Sequence, residues 1–163
     1  VIGFPSLAST AMMQGRMAAS SAFGAEILQM PATYPIGIYT IPEISFFGKT
    51  EQQLHDEGAA YEIGRAGYRE IARGPMLGDV SGLLKLVFDP ETRKLLGTHI
   101  IGEQASDLVH VGMVAQSLGA TLDYFADTVF NYPTLAEGYK IAAFNGINRL
   151  KGLKDSPSGH YVA

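Results

Sequence analysis

Residues 82–101 read GLLKLVFDPETRKLLGTHII, and the reading of this stretch decides the fold. Two apolar runs, 82–88 and 95–101, flank the polar segment DPETRK at 89–94. Aspartate followed by proline opens a type I turn, because the Asp side chain satisfies nearby amides and Pro presets φ for the next position. Val87, Phe88, Ile100 and Ile101 supply the β-branched and aromatic content that suits a pleated, half-buried surface. The two runs are therefore predicted to pair as an antiparallel hairpin.

Downstream, residues 105–118 set Leu108, Val111, Gly112, Ala115 and Leu118 at helical spacing and end at Gly119, which predicts an amphipathic helix covering the sheet. A short helix is expected at 122–128 and a last one from Pro133 to about Leu150, followed by a polar tail. Upstream, 61–69 reads as a strand. TEQQ at 50–53 has capping-box spacing, and Gly58 sits where a helix places its left-handed residue, so a short surface helix lies between. Pro31, Pro35 and Pro42 make 30–42 an extended connection with a short strand around 37–40. Residues 6–29 are rich in small and apolar side chains (Leu7, Ala8, Ala11, Met12, Ala18, Ala19, Ala22) and predict a closely packed helix opening at Pro5–Ser6, with Ser6 as N-cap. The fold class is α+β: an antiparallel sheet with flanking helices, preceded by a separate helix.

Composition narrows the function. Apolar residues make up 47% and charged residues 17% of the 163, which gives enough core to fold and argues against disorder. A net charge of −4 without a basic cluster argues against nucleic acid as partner. The richest apolar run, 81–88, is interrupted by Lys85 and falls far short of a membrane span. Cysteine is absent, so disulfides, Cys-ligated zinc and thiol chemistry are excluded from this segment, in keeping with a cytoplasmic location. The chain opens on Val1 without the basic and apolar regions of a signal peptide, which leads to the expectation that it is part of a longer polypeptide.

The most informative local segment is 130–137, FNYPTLAE. Thr134 and Glu137 have the T-x-x-E spacing of a capping box. Pro133 forces Tyr132 out of the α region, so the chain must turn sharply into the helix, and an aromatic before proline favours the cis peptide. On these rules alone the segment reads as an ordinary helix start before it reads as a functional loop, because capping boxes are common.

The same segment resembles the active-site signature of the pyridine nucleotide-disulfide oxidoreductase family, in which a His precedes Pro-Thr and a Glu stands at the position of Glu137. The resemblance extends through VIGFPSLAS at 1–9, QGRMAA at 14–19, IYTIPEI at 38–44, GKTE at 48–51, LGTHIIGE at 96–103 and NGINRL at 145–150. In the family the His–Glu pair acts across the dimer interface as acid and base for a redox dithiol. Here Tyr132 replaces the His, and a phenol with a reference pKa of about 10 is a poor base near neutrality. That departure matches the soluble transhydrogenase branch of the family. Hydride transfer between cofactors needs no protein base, because the cofactors carry the chemistry.

The resemblance implies FAD, NAD and NADP as cofactors, with hydride passing from NADPH to flavin and on to NAD⁺. It implies a homodimer, with no membrane and no nucleic acid. It makes residues 1–34 the last helix of a FAD-binding domain plus a linker, 35–150 the dimerisation domain and 151–163 a tail. The nucleotide-binding fingerprints then lie upstream, since Gly58, Gly64 and Gly67 do not form one, and the segment alone is not catalytic. Tyr132 and Glu137 occupy the catalytic positions, with Glu137 read mainly as a helix cap once the His is gone. Ser6, Leu7 and Ala8, at a helix start, are expected at the flavin pyrimidine edge. Tyr132 and Pro133 are expected to reach the partner's flavin, a cis bond aiming the Tyr132 carbonyl.

His99, Glu103 and His110 offer no metal-ligand spacing, so no metal is expected. His110 reads as a core or interface histidine, and His55 and His160 as exposed. The methionines (Met12, Met13, Met17, Met30, Met76, Met113) read as core or interface filler, and Phe125, Phe130, Tyr132, Tyr139 and Phe144 as a group that includes interface anchors. Two alternatives stay open: a disulfide reductase of the same family, and a stand-alone self-association module.

Overall fold

In a computed structural model that describes residues 3–26 and 29–152, the chain divides into two units, Val1–Tyr34 and Pro35–Ala163. The first carries helix α1 (Ala8–Ala22). The second carries strands β1 (Ile36–Ile38), β2 (Ile44–Gly48), β3 (Glu62–Gly67), β4 (Leu83–Phe88) and β5 (Leu95–Ile101). Its helices are α2 (Glu51–Asp56), α3 (Arg73–Leu77), α4 (Ala105–Ser117), α5 (Leu122–Asp127) and α6 (Glu137–Leu150).

The hairpin predicted from 82–101 is β4–β5. Its turn closes on Asp89, whose Oδ1 accepts from the Glu91 and Thr92 amides at 3.0 and 2.6 Å and from the Thr92 hydroxyl at 2.8 Å. Around this pair the sheet runs β1-β2-β5-β4-β3, antiparallel throughout. The register sets Leu84 opposite Ile100 and Leu86 opposite Thr98. Leu84, Leu86, Phe88 and Ile100 are buried in one main core with residues of α4, α5 and α6. Two glycines let the helices come down onto that face. A Cβ on Gly112 would fall 2.3 Å from Thr98 Oγ1, and one on Gly64 would fall 2.1 Å from the Ala142 carbonyl oxygen of α6. The opposite face is covered in part by α2, through Leu54 against Ile63 and Val87.

The α2 caps form as predicted. Thr50 Oγ1 accepts from the Gln53 amide at 3.1 Å, Gln53 Oε1 accepts from the Thr50 amide at 2.9 Å, and Gly58 takes φ +67° just past the C-cap. Other boundaries differ. The helix expected over 6–29 ends at Ala22, because the chain breaks at Phe23 and Gly24 turns left-handed with φ +66°. The strand expected over 61–69 stops at Gly67 and becomes a 3₁₀ turn at Tyr68–Glu70. Strand β1 lies one residue earlier than expected and is shorter. Not every apolar residue read onto the covering face of α4 lies there: Ala105, Leu108, Val109, Gly112 and Ala115 are buried, whereas Val111, Val114 and the C-cap Leu118 are exposed. Met12 and Met76 are exposed rather than packed in a core, and His110 lies at the surface rather than in the core. His160 and residues 153–163 of the tail lie outside the described residues.

His99 occupies the second sheet face, its ring stacked on Phe46 at 5.8 Å and its Nε2 2.9 Å from the Lys49 carbonyl. A carbonyl only accepts, so Nε2 carries the proton of a neutral ring. Burial lowers its pKa from the usual 6.5; nearby Lys85 adds to this, and the Lys49 carbonyl and Glu51 oppose it. The unfolded chain therefore binds the proton first as pH falls through about 6.5, and stability drops over that window. Urea unfolding between pH 7.5 and 5.5 is expected to show a loss in the wild type that His99→Gln lacks, with about equal losses in both counting against this account.

Candidate functional site

The segment joining α5 to α6 is anchored from below and held at both ends. At the near end, the Thr128 amide and hydroxyl both donate to the Tyr124 carbonyl, at 3.0 and 2.6 Å. Phe130 packs against the core and Leu135 is buried within it. At the far end, Thr134 Oγ1 donates to the Asn131 carbonyl at 2.8 Å, and the Thr134 amide donates to Glu137 Oε2 at 3.3 Å. Between these ties Val129 and Tyr132 project, 91% and 73% exposed, and the Tyr132–Pro133 bond is cis.

The capping box expected at Thr134 and Glu137 is only half formed. The Glu137 carboxylate accepts from the Thr134 amide, whereas the Thr134 hydroxyl donates to the Asn131 carbonyl, and α6 starts at Glu137 rather than at Pro133. Glu137 supplies the remaining arm by holding the loop's last turn.

Beneath the loop lies Tyr139, wholly buried, its hydroxyl accepting from the Gly112 amide at 3.0 Å and donating to the Leu108 carbonyl at 2.7 Å. Its ring stacks on Phe125 at 5.0 Å. Burial pushes this phenol up, so it remains a protonated strut joining α6 to the middle of α4. Phe125 and Tyr139 thus belong to the core and not to the group of interface anchors. The spacing of Leu135, Tyr139, Ala142, Ala143 and Gly146 on one helical face is the sequence signal for this role. Lys140, one residue on, was not singled out by the sequence; its Nζ donates to the Thr128 carbonyl at 3.0 Å.

Tyr132, Pro133 and Glu137 are therefore brought together in one loop. Ser6, Leu7 and Ala8 lie together in the other unit, at the start of α1. Leu7, not Ser6, is the N-cap: Ser6 has φ +50° and its hydroxyl donates to the Gly3 carbonyl at 2.6 Å. No side chain caps α1, and its first turn holds no acidic residue. Such a helix start offers backbone donors and a positive dipole end, which suit an acceptor oxygen of a flavin or another anion. Outward-facing Val111 and Val114 on α4 and Leu118 at its C-cap join Tyr124 on α5 in an open apolar groove. Among the described residues no three His, Cys, Asp or Glu side chains are grouped to hold a metal ion, and no helix is long and apolar enough to cross a membrane.

The family profile for the pyridine nucleotide-disulphide oxidoreductase dimerisation domain matches residues 34–143. The chain belongs to this oxidoreductase family. Its relatives include the soluble pyridine nucleotide transhydrogenase of Mycobacterium bovis (strain BCG / Pasteur 1173P2), 48% identical over 153 residues, covering 94% of this chain and 33% of the relative. The protein of the same name from Marinomonas sp. (strain MWYL1) is 50% identical over 153 residues, covering 92% and 33%. The chain thus spans about a third of the length of these relatives. Among solved structures, LpdA from Mycobacterium tuberculosis aligns with a TM-score of 0.76 and 27% identity, over 87% of this chain and 31% of LpdA. The Escherichia coli flavoprotein disulfide reductase RclA shares the fold at a TM-score of 0.71 and 20% identity, over 79% of this chain and 30% of RclA. The sheet with its covering helices is the dimerisation domain of the family.

Proposed function

We propose that this chain is the carboxyl-terminal part of a FAD-dependent soluble transhydrogenase that moves hydride equivalents between NADPH and NAD⁺. The observation that carries the reading is Tyr132, a phenol on the loop where the family's dithiol enzymes resemble one another in carrying an imidazole. Bound flavin supplies the two-electron relay for such a reaction, and the nucleotides supply the rest. Relatives of about three times the length that carry the transhydrogenase name support the assignment. In this reading residues 1–34 close the FAD-binding domain, 35–150 form the dimerisation domain and 151–163 a tail, in a cytoplasmic homodimer.

The chain's own contribution is positioning. Leu7 and Ala8, with Ser6 shaping the turn before them, offer the bare start of α1 to the pyrimidine edge of the flavin, where negative charge accumulates on reduction. Tyr132 and Pro133 reach the flavin of the partner subunit. Glu137 holds the loop through the Thr134 amide and transfers no proton, since no imidazole stands beside it. The exposed apolar side chains of α4, with Tyr124, Val129 and Tyr132, supply surface for the second subunit.

The test is made on the full-length protein, purified and examined for bound flavin and for two activities. Reduction of an NAD⁺ analogue by NADPH is expected, with no efficient reduction of lipoamide, glutathione disulfide or related disulfides. Efficient disulfide reduction would favour the reductase alternative, and a protein without flavin would remove the proposal.

A further inference from the structure

We infer that Lys140 is the positioning residue that fixes the Tyr132 loop, an inference that rests on the flavin contact proposed above. The far end of the loop is tied by Thr134 to Asn131 and by Glu137 to Thr134. The near end is tied across to α6 by Lys140, whose ammonium donates to the Thr128 carbonyl at 3.0 Å while lying 6.0 Å from the centroid of the Phe144 ring. A charged donor on a carbonyl makes a stronger bond than a neutral one, and here it meets the carbonyl that ends α5. Lys140 has no carboxylate partner among the described residues, so this bond is where its charge is used. The stem is half-buried, which removes much of the freedom that leaves most surface lysines uncommitted. The backbone at Thr128 and at Thr134 is thereby referred to a single rigid element, α6. Val129 and Tyr132, the projecting side chains, are carried between the two ties. Lys140 touches no cofactor in this scheme: it acts through the loop.

The experiment uses the full-length flavin-loaded dimer and compares wild type, Lys140→Met and Lys140→Arg. In Lys140→Met, amide hydrogen exchange over residues 129–134 is expected to rise about tenfold. The flavin absorption band should shift, and the KM for the nucleotide should rise about threefold with dimerisation unchanged. Lys140→Arg, which can still reach the carbonyl, should restore all three. Exchange in Lys140→Met equal to wild type overturns the inference, as does faster exchange with an unmoved flavin spectrum. Loss of the dimer or of folding in Lys140→Met overturns it equally, because the residue would then serve the fold and not the loop. A wild-type protein lacking flavin would instead sink the reading of the preceding subsection, and is recognised before any variant is made.

Discussion

Gly64→Ala is expected to lower the unfolding free energy by about 3 kcal/mol, at the upper end of what overpacking costs. The new Cβ would lie 2.1 Å from the Ala142 carbonyl oxygen and 3.0 Å from the Gly146 amide nitrogen, both backbone atoms of α6. Neither can rotate away, so the helix must lift from β3. Lifting would open space where Gly138 meets Ile71 and where Gly146 meets the Phe88 ring, the two other close approaches along the same helix. Close-packed interiors do not absorb such a shift without losing contacts elsewhere. Urea unfolding measures the effect, and a loss below about 1 kcal/mol would mean that α6 is not seated as described. Gly15→Ala is the control: nothing lies within 4 Å of its Cβ, and an exposed helix interior gains up to about 1 kcal/mol from the change.

Phe125→Ala is expected to cost about 4 kcal/mol, in the range for deleting a fully buried phenyl ring. The ring fills the space between α5 and α6 and stacks on Tyr139, whose hydroxyl spans to α4. Removing it leaves a cavity whose walls are tied by those hydrogen bonds and so collapse poorly. Since small domains are stable by only about 5–15 kcal/mol, the variant should unfold at much lower urea with an unchanged slope. A cost below about 1.5 kcal/mol would show that the site can repack, and that the base under the Tyr132 loop is soft.

The hairpin was legible because its turn chemistry and both strand runs are local and agree with each other. The same holds for α2, where Thr50, Gln53 and Gly58 each report one boundary. Strand β2 left no such trace. Its Ser45 is buried, made acceptable by donating to the Ile36 carbonyl at 2.9 Å, while Phe46 lies on the other face, so polarity does not alternate with burial. Helix α3 contains Gly74 and Pro75 within five residues, against helix propensity. Gly74 is needed there, since a Cβ would lie 2.2 Å from the Tyr68 carbonyl oxygen, a close approach that no sequence pattern marks.

The apolar spacing of α4 identified a helix but not which apolar side chains face the sheet. Leu118 and Leu108 obey the same period, yet one is 83% exposed and the other 8%. A surface made for another subunit carries the same residue types as a core. At the site, the T-x-x-E spacing correctly joined Thr134 and Glu137 but overstated the box, because α6 begins at Glu137 with Ala136 as its N-cap, so Thr134 lies ahead of the capping position. Lys140 was invisible for a different reason. Its partner is a backbone carbonyl twelve residues earlier, and no side-chain motif encodes that.

The decisive measurement is the rate of hydride transfer from NADPH to an NAD⁺ analogue by the full-length enzyme carrying Tyr132→Phe, followed across neutral and alkaline pH. If the loop supplies shape and no proton, deleting the hydroxyl leaves the rate within about twofold of wild type, with the same pH profile. A fall of about tenfold or more, or a profile that changes as the phenol is removed, would give the hydroxyl an acid–base task and contradict the account.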